Sequence, residues 1–246
     1  MSALAVLLIA VGIGDVCRRV IRIRWLPAVV ALVVIAACAL LGALWHLGDV
    51  PLLAVVAATS VAWLLLCGRA ERVGTHHAVP LAVFGVGVGL LILLSGWGSE
   101  VGGLIGRWST WADIFGNHPV DPDRLLMIVG VLLVQLATGN QLVRLVLGSV
   151  GAVKPVGQPQ PSDRLKGGRL LGPMERLLIL GLGLGGQLTM ATAVVAAKSI
   201  IRFPEITAQR DKNGTPGLGI DDVTEYFLVG SFASWILAFG GLALVH

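Results

Sequence analysis

The amino-acid sequence predicts an all-α fold, a polytopic transmembrane helical bundle of about seven membrane segments. Hydrophobic residues make up 56% of the chain and charged residues only 13%, whereas an ordinary soluble domain has about 25% charged residues. The mean hydropathy is +0.87. Because so few polar residues cannot cover so many apolar ones, lipid is the solvent expected around the chain.

Seven apolar segments alternate with polar loops, and the charges of these loops set the predicted orientation. Loops rich in Lys and Arg face the cytoplasm. Four arginines follow the first segment at 18–24, which indicates a retained helix with its N-terminus outside rather than a cleaved signal peptide. The net acidic loop 99–124 is expected outside. The segments are 2–16, 26–47, 51–67, 81–97, 125–150, 177–197 and 226–245.

The sixth segment does not fit the alternation, because both of its ends carry basic residues. It is long enough to cross the membrane as a single helix, and its length favours that interpretation slightly. Its charges favour a re-entrant hairpin that turns near Gly185, Gly186 and Gln187. Both alternatives remain open from the sequence.

The predicted domain boundary lies in a stretch rich in Pro, Gly and Gln, which is typical of a flexible linker. It separates an N-terminal five-helix membrane part (1–150) from a cytoplasmic linker (151–168) and a C-terminal membrane module (169–246).

Glycines recur inside several apolar segments. Those at 181–186 match the spacing of a dinucleotide-binding loop, but no strand precedes them, so helix packing is the preferred interpretation. Close helix contact is likewise expected at Gly85, Gly87 and Gly89.

Polar residues within or beside apolar segments are the candidate site residues, because ionisable groups in a membrane span are costly and often functional. Gln141 and Arg144 share one face of the fifth segment, and Gln187 lies near the middle of the sixth. They form a possible polar path or make contacts between helices. The complete set is Gln141, Arg144, Glu175, Gln187, Lys198 and Arg202.

Catalytic and metal sites are not predicted. The three cysteines form no C-x-x-C pair, the histidines are scattered, and no hydrolase, zinc-protease or P-loop signature occurs. Asp15 and Arg18 are expected to form a local ion pair. No cofactor is expected. No nucleic-acid partner is expected either, because the basic residues that raise the pI to about 9.3 lie in loops that orient helices.

Three strings in the C-terminal part carry a resemblance: GRLLGPMERLLIL (168–180), AAKSIIRFPEI (196–206) and EYFLVGSFASW (225–235). This part resembles uncharacterised bacterial polytopic inner-membrane proteins that are classed as a domain of unknown function. The resemblance implies a bacterial inner-membrane protein and no particular activity. It also implies that the typical polar residues are Glu175, Arg176, Lys198, Ser199, Arg202 and Glu225.

Function is predicted only as a class. A small transporter or channel component is the first expectation, and a structural or accessory subunit of a membrane complex is the alternative. An enzyme is less expected, because no two catalytic groups clearly share one depth. The lipid bilayer is the expected partner, together with a membrane protein or a second copy of the chain.

Overall fold

A computed structural model describes residues 1–21, 23–111, 121–153, 168–210 and 220–246, and all regular structure in these ranges is helical. The predicted linker 151–168 lies mostly outside them, so that boundary stays a prediction. The helices are α1 (Ser2–Val20), α2 (Leu26–Leu41), α3 (Asp49–Val73), α4 (Ala78–Leu93), α5 (Gly103–Trp111), α6 (Pro122–Leu133), α7 (Gly139–Ser149), α8 (Gly168–Leu184), α9 (Leu188–Arg210) and α10 (Ile220–Val245).

The chain forms two compact units. The first comprises Met1–Val73 and Val79–Thr138, together with Val245. The second comprises Gly74–Ala78 and Gly139–Leu244, together with His246.

Helix α1 lies at the centre of the first unit, where α2, α3 and α6 pack around it. Its side chains from Leu4 to Val11 are at most 6% exposed. The packing depends on glycine, since a Cβ atom at Gly12 would lie 2.7 Å from Cβ of Leu133. Small residues of this kind allow helix backbones to approach closely.

Helix α6 continues into α7 through a π-helical turn at Val134–Thr138. The uninterrupted helical run Pro122–Ser149 covers the predicted fifth segment. A π turn places one extra residue in the helix and is frequent at functional sites. Here it carries two fully buried polar side chains, Gln135 and Thr138.

Of the two alternatives for 177–197, the single helix that the length slightly favoured is not observed, because the chain turns at Gly185, Gly186 and Gln187. The amide of Gln187 donates to the carbonyl of Leu182 at 2.8 Å, and that of Gly186 donates to Gly183 at 3.0 Å. Gly186 has φ +76°. These features define a Schellman motif, which ends a helix at a glycine. The turn lies where the hairpin alternative placed it, and α8 and α9 pack against each other.

The core of the second unit joins α8, α9 and α10. Ile179, Ala191 and Ala238 are fully buried there, and Trp235 and Phe239 pack against them. This core holds the two helices of the hairpin against α10.

Three helical runs in the described ranges are long and apolar enough to cross a membrane: Asp49–Val73, Pro122–Ser149 and Thr224–Val245. Leu26–Leu41, Ala78–Leu93 and Leu188–Lys198 are apolar but shorter. Large apolar side chains are widely exposed, including Leu93 at 83% and Ile236 at 70%. Contiguous exposed apolar surface marks a membrane or protein interface.

A candidate buried charge site

The hairpin brings two oppositely charged side chains to the same level. Glu175 lies nine residues before the end of α8, and Lys198 lies ten residues after the start of α9. With a rise of about 1.5 Å per residue, each lies roughly 15 Å from the turn. Their proximity is therefore a consequence of where the Gly185–Gln187 turn falls.

Glu175 and Lys198 form an ion pair between Oε2 and Nζ. Only 5% of the Glu175 side chain and 15% of the Lys198 side chain are exposed. The Trp235 indole nitrogen donates to the other carboxylate oxygen at 2.7 Å. The ammonium also lies 5.8 Å from the centre of the Trp235 ring, within the range of a cation–π interaction. Both carboxylate oxygens are thus held by charged or polar donors from two neighbouring helices.

Arg176, the next residue, is 1% exposed and faces a different set of partners. Its Nη2 donates to Oδ1 of Asn140 at 2.7 Å, and its Nη1 donates to the Ser234 hydroxyl at 3.2 Å. A Cβ atom at Gly139 would lie 2.9 Å from the guanidinium carbon. The first residue of α7 must therefore be small for the guanidinium to reach Asn140.

These contacts define the charge site: Asn140, Glu175, Arg176, Lys198, Ser234 and Trp235. It holds two formal positive charges and one negative charge in a mostly apolar unit. Burying such groups is unfavourable unless they are paired and hydrogen-bonded. Chemically, the site offers a paired carboxylate and ammonium beside a hydrogen-bonded guanidinium.

Among the predicted site residues whose side chains the structure describes, it brings together Glu175 and Lys198. Gln141 is buried on α7, whereas Arg144 on the same helix is exposed. Gln187 is exposed in the turn, and the side chain of Arg202 lies outside the described part. The role of these six residues in transport stays a prediction.

Three members of the charge site are missing from the candidate site residues that the sequence predicted: Asn140, Ser234 and Trp235. Each is a hydrogen-bonding side chain inside an apolar stretch, which was the available signal. Arg176 was noted as a basic residue at the start of the sixth segment and through the resemblance, but not as a path residue. Sequence spacing gives no direct indication that α7 and α10 supply partners to α8.

In the described ranges, no group of three or more His, Cys, Asp or Glu side chains is arranged to hold a metal ion. Comparison with protein-family models, with curated proteins and with solved structures finds no match to this chain. Function is therefore inferred from the chemistry of the site rather than from similarity.

Proposed function

We propose that the chain is a multi-pass protein of a bacterial inner membrane with its N-terminus outside. The three long apolar helices and the exposed apolar side chains support a membrane location. The alternation of basic and acidic loops supports about seven membrane segments in the predicted orientation. Trp97, Trp108 and Trp111, which are 65%, 50% and 82% exposed, suit anchors at the outer interface.

The sixth segment enters the membrane as the α8–α9 hairpin, with both ends in the cytoplasm. This arrangement agrees with the basic residues farthest from the turn, Arg169 before it and Arg202 and Arg210 after it. A hydrocarbon core is about 30 Å thick. If the turn reaches the far side, the Glu175–Lys198 pair lies near the middle of the bilayer.

Within this membrane protein, we assign the C-terminal unit to a small transporter or channel component in which Glu175 and Lys198 contact the transported ion. The observation that carries the proposal is their ion pair, buried with Trp235 among three apolar helices. A charged residue at the centre of a span costs about 2.5–3.5 kcal/mol on insertion scales, so ionisable residues there are usually functional. Apolar residues would stabilise the same helix contact as well or better.

The alternative is a structural or accessory subunit of a membrane complex. It is favoured by the exposed apolar face of α8, where Leu171, Met174 and Leu178 are 42%, 65% and 50% exposed at helical spacing. Such a face fits lipid, a membrane protein partner or a second copy. In this case the ion pair serves only to hold the hairpin on α10.

Ion flux separates the two proposals. The purified protein is reconstituted into vesicles loaded with a pH-sensitive dye, and into a parallel set loaded with a chloride-sensitive dye. Transport predicts flux above that of empty vesicles, lost in the double variant E175Q/K198M and retained in E100Q, which changes an exposed charge outside the candidate path. Equal flux in wild type and E175Q/K198M would remove the ion pair from the mechanism. Flux no greater than that of empty vesicles favours the accessory role.

Topology is tested separately. The three native cysteines are replaced by serine, and single cysteines are introduced at Asp163 and Gly214, on either side of the hairpin. A membrane-impermeant thiol reagent is expected to label both only from the cytoplasmic side. Labelling from opposite sides contradicts the hairpin, and a monodisperse protein in detergent-free buffer contradicts the membrane assignment altogether.

A further inference from the structure

A second buried charge lies in the first unit, and the proposed transport site does not use it. The carboxylate of Asp15, near the end of α1, is only 1% exposed. The Trp63 indole nitrogen on α3 donates to its Oδ2 at 3.1 Å. Nη2 of Arg18 lies 3.2 Å from its Oδ1, which confirms the predicted ion pair.

Several polar atoms around this carboxylate are buried without a hydrogen bond of normal geometry. They include Oδ1 of Asp15, Nη1 of Arg18 and the hydroxyl of Thr138. Thr138 is completely buried, and its hydroxyl is close enough to Asp15 to interact with the carboxylate. Folded proteins satisfy such groups with buried water when protein partners are lacking.

The backbone explains why Thr138 lies here. It is the last residue of the π turn, and this turn packs against α1. The guanidinium of Arg19 donates to the carbonyl of Ala137 in the same turn. Two contacts therefore join the end of α1 to the turn. One is the hydrogen bond from Arg19 to the carbonyl of Ala137, and the other is the contact between Asp15 and Thr138.

We propose that Asp15, Arg18 and Thr138 form a buried water-binding site at which Asp15 takes up and releases a proton. Water suits the three groups, because it can accept from the guanidinium, donate to the carboxylate and do either with the hydroxyl. The adjacent guanidinium disfavours a metal cation, and the carboxylate disfavours an anion. Two to four polar partners are the usual number for a buried water.

Arg18 also connects the site to the surface. Its Nη2 lies 3.8 Å from Oε1 of Glu71, whose side chain is 38% exposed. A proton reaches Asp15 when the bound water transfers one to Oδ1 and replaces it from bulk water near Glu71. One O–H bond of the bound water breaks as one carboxyl O–H bond forms, and a hydronium ion in bulk water then gives up its proton to restore the bound water. Arg18 then keeps Glu71 as a carboxylate partner after Asp15 becomes neutral.

The charged and titratable groups facing Asp15 are few. Arg18 and Arg19 lie on α1 itself, and α3 supplies Glu71 and the buried thiol of Cys67. The π turn supplies polar but uncharged side chains, and α2 contains no charged residue. Exchange of Arg18 between two carboxylates is therefore the main electrostatic response to protonation.

Infrared difference spectroscopy of the full-length protein in lipid nanodiscs tests the proton step. Lowering the pH should produce a carboxylic acid C=O band that shifts in D2O. The band should disappear in D15N and persist in E100Q, which removes an exposed carboxylate. A spectrum without this band, or a band unaffected by D15N, would overturn the proposal.

The bound water is tested in variants that leave Asp15 in place, so the proposal does not depend on the folding of D15N. Replacing bulk water by its ¹⁸O form should shift the O–H stretching band of the internal water. That shift should be lost in T138V, which keeps a β-branched side chain, and retained in S109A. Ser109 is also buried, but its hydroxyl bonds to the carbonyl of Gly106 at 2.9 Å. An unchanged water band in T138V would refute the site, whatever the vesicle flux proves to be.

Discussion

Removing the Lys198 charge gives the sharpest test of how the charge site is held together. In K198M the Glu175 carboxylate stays buried, at 5% exposure, without its cation. Removing one partner of a buried ion pair costs about 3–5 kcal/mol. Because the Trp235 indole still donates to the carboxylate at 2.7 Å, we expect a loss near the lower end, about 3 kcal/mol of unfolding free energy.

The reverse change should cost less. In E175Q the side-chain oxygen can still accept from Trp235, and the remaining ammonium is more exposed than the carboxylate, at 15%. We expect a loss of about 1–3 kcal/mol, typical of removing a hydrogen bond to a charged group. The double variant E175Q/K198M buries no charge at this position, so its stability should be near that of wild type or higher.

Unfolding by SDS in mixed micelles measures these free energies, and the four proteins form a double-mutant cycle. R144Q serves as a control, because an exposed charge should change the free energy by no more than about 0.5 kcal/mol. Additive losses, with the double variant as unstable as the sum of the single ones, would refute the reasoning. The two side chains would then not share a desolvated pair.

Three further predictions concern packing, and the same unfolding assay checks each. G139A should lose about 1–3 kcal/mol of unfolding free energy, since its new methyl group would displace the buried guanidinium of Arg176. The control G181A has no atom within 4 Å of its Cβ position and should be as stable as wild type or more so. Equal effects of the two changes would contradict the close contact at Gly139. In α4, G87A should also lose about 1–3 kcal/mol of unfolding free energy, because its Cβ would clash with the methyl group of Thr59. Its control G85A meets nothing within 4 Å and should not be destabilised. W235F removes the indole donor and should cost about 1.5–3 kcal/mol, so an unchanged free energy would show that the indole bond contributes nothing.

Composition and local spacing predicted the helical fold and the short-range contacts. The Asp15–Arg18 pair followed from its three-residue spacing, because such residues share a helix face. Hydropathy indicated the apolar character of all three long helical runs. These features depend on neighbours in sequence, which a linear pattern records directly.

Contacts between distant residues were harder to predict. The sequence contained both Glu175 and Lys198, but their pairing depends on a turn whose existence competed with a single helix. Close packing was expected equally at three glycines of the fourth segment, yet only Gly87 has a neighbour within reach, and the outer two face open space. A periodic pattern indicates which residues are small, but it does not indicate which helix face meets a partner.

The π turn left no recognisable signal. Its residues, Val134–Thr138, continue an apolar pattern that an α-helix would accommodate equally well. The three-dimensional structure shows what the turn does: it brings Thr138 close to the Asp15 carboxylate of α1. The sequence therefore gives no sign that the acid near the end of α1 meets an irregular turn between α6 and α7.

The α8–α9 hairpin also bears on how the chain is made. Neither of its helices is among the runs in the described ranges that are apolar and long enough to partition into lipid alone. If the hairpin enters the membrane as proposed, Glu175 emerges from the ribosome before its counter-ion Lys198 and would meet the insertion machinery unpaired. We therefore expect α8 and α9 to enter the membrane together, after both have left the ribosome and Glu175 has paired with Lys198.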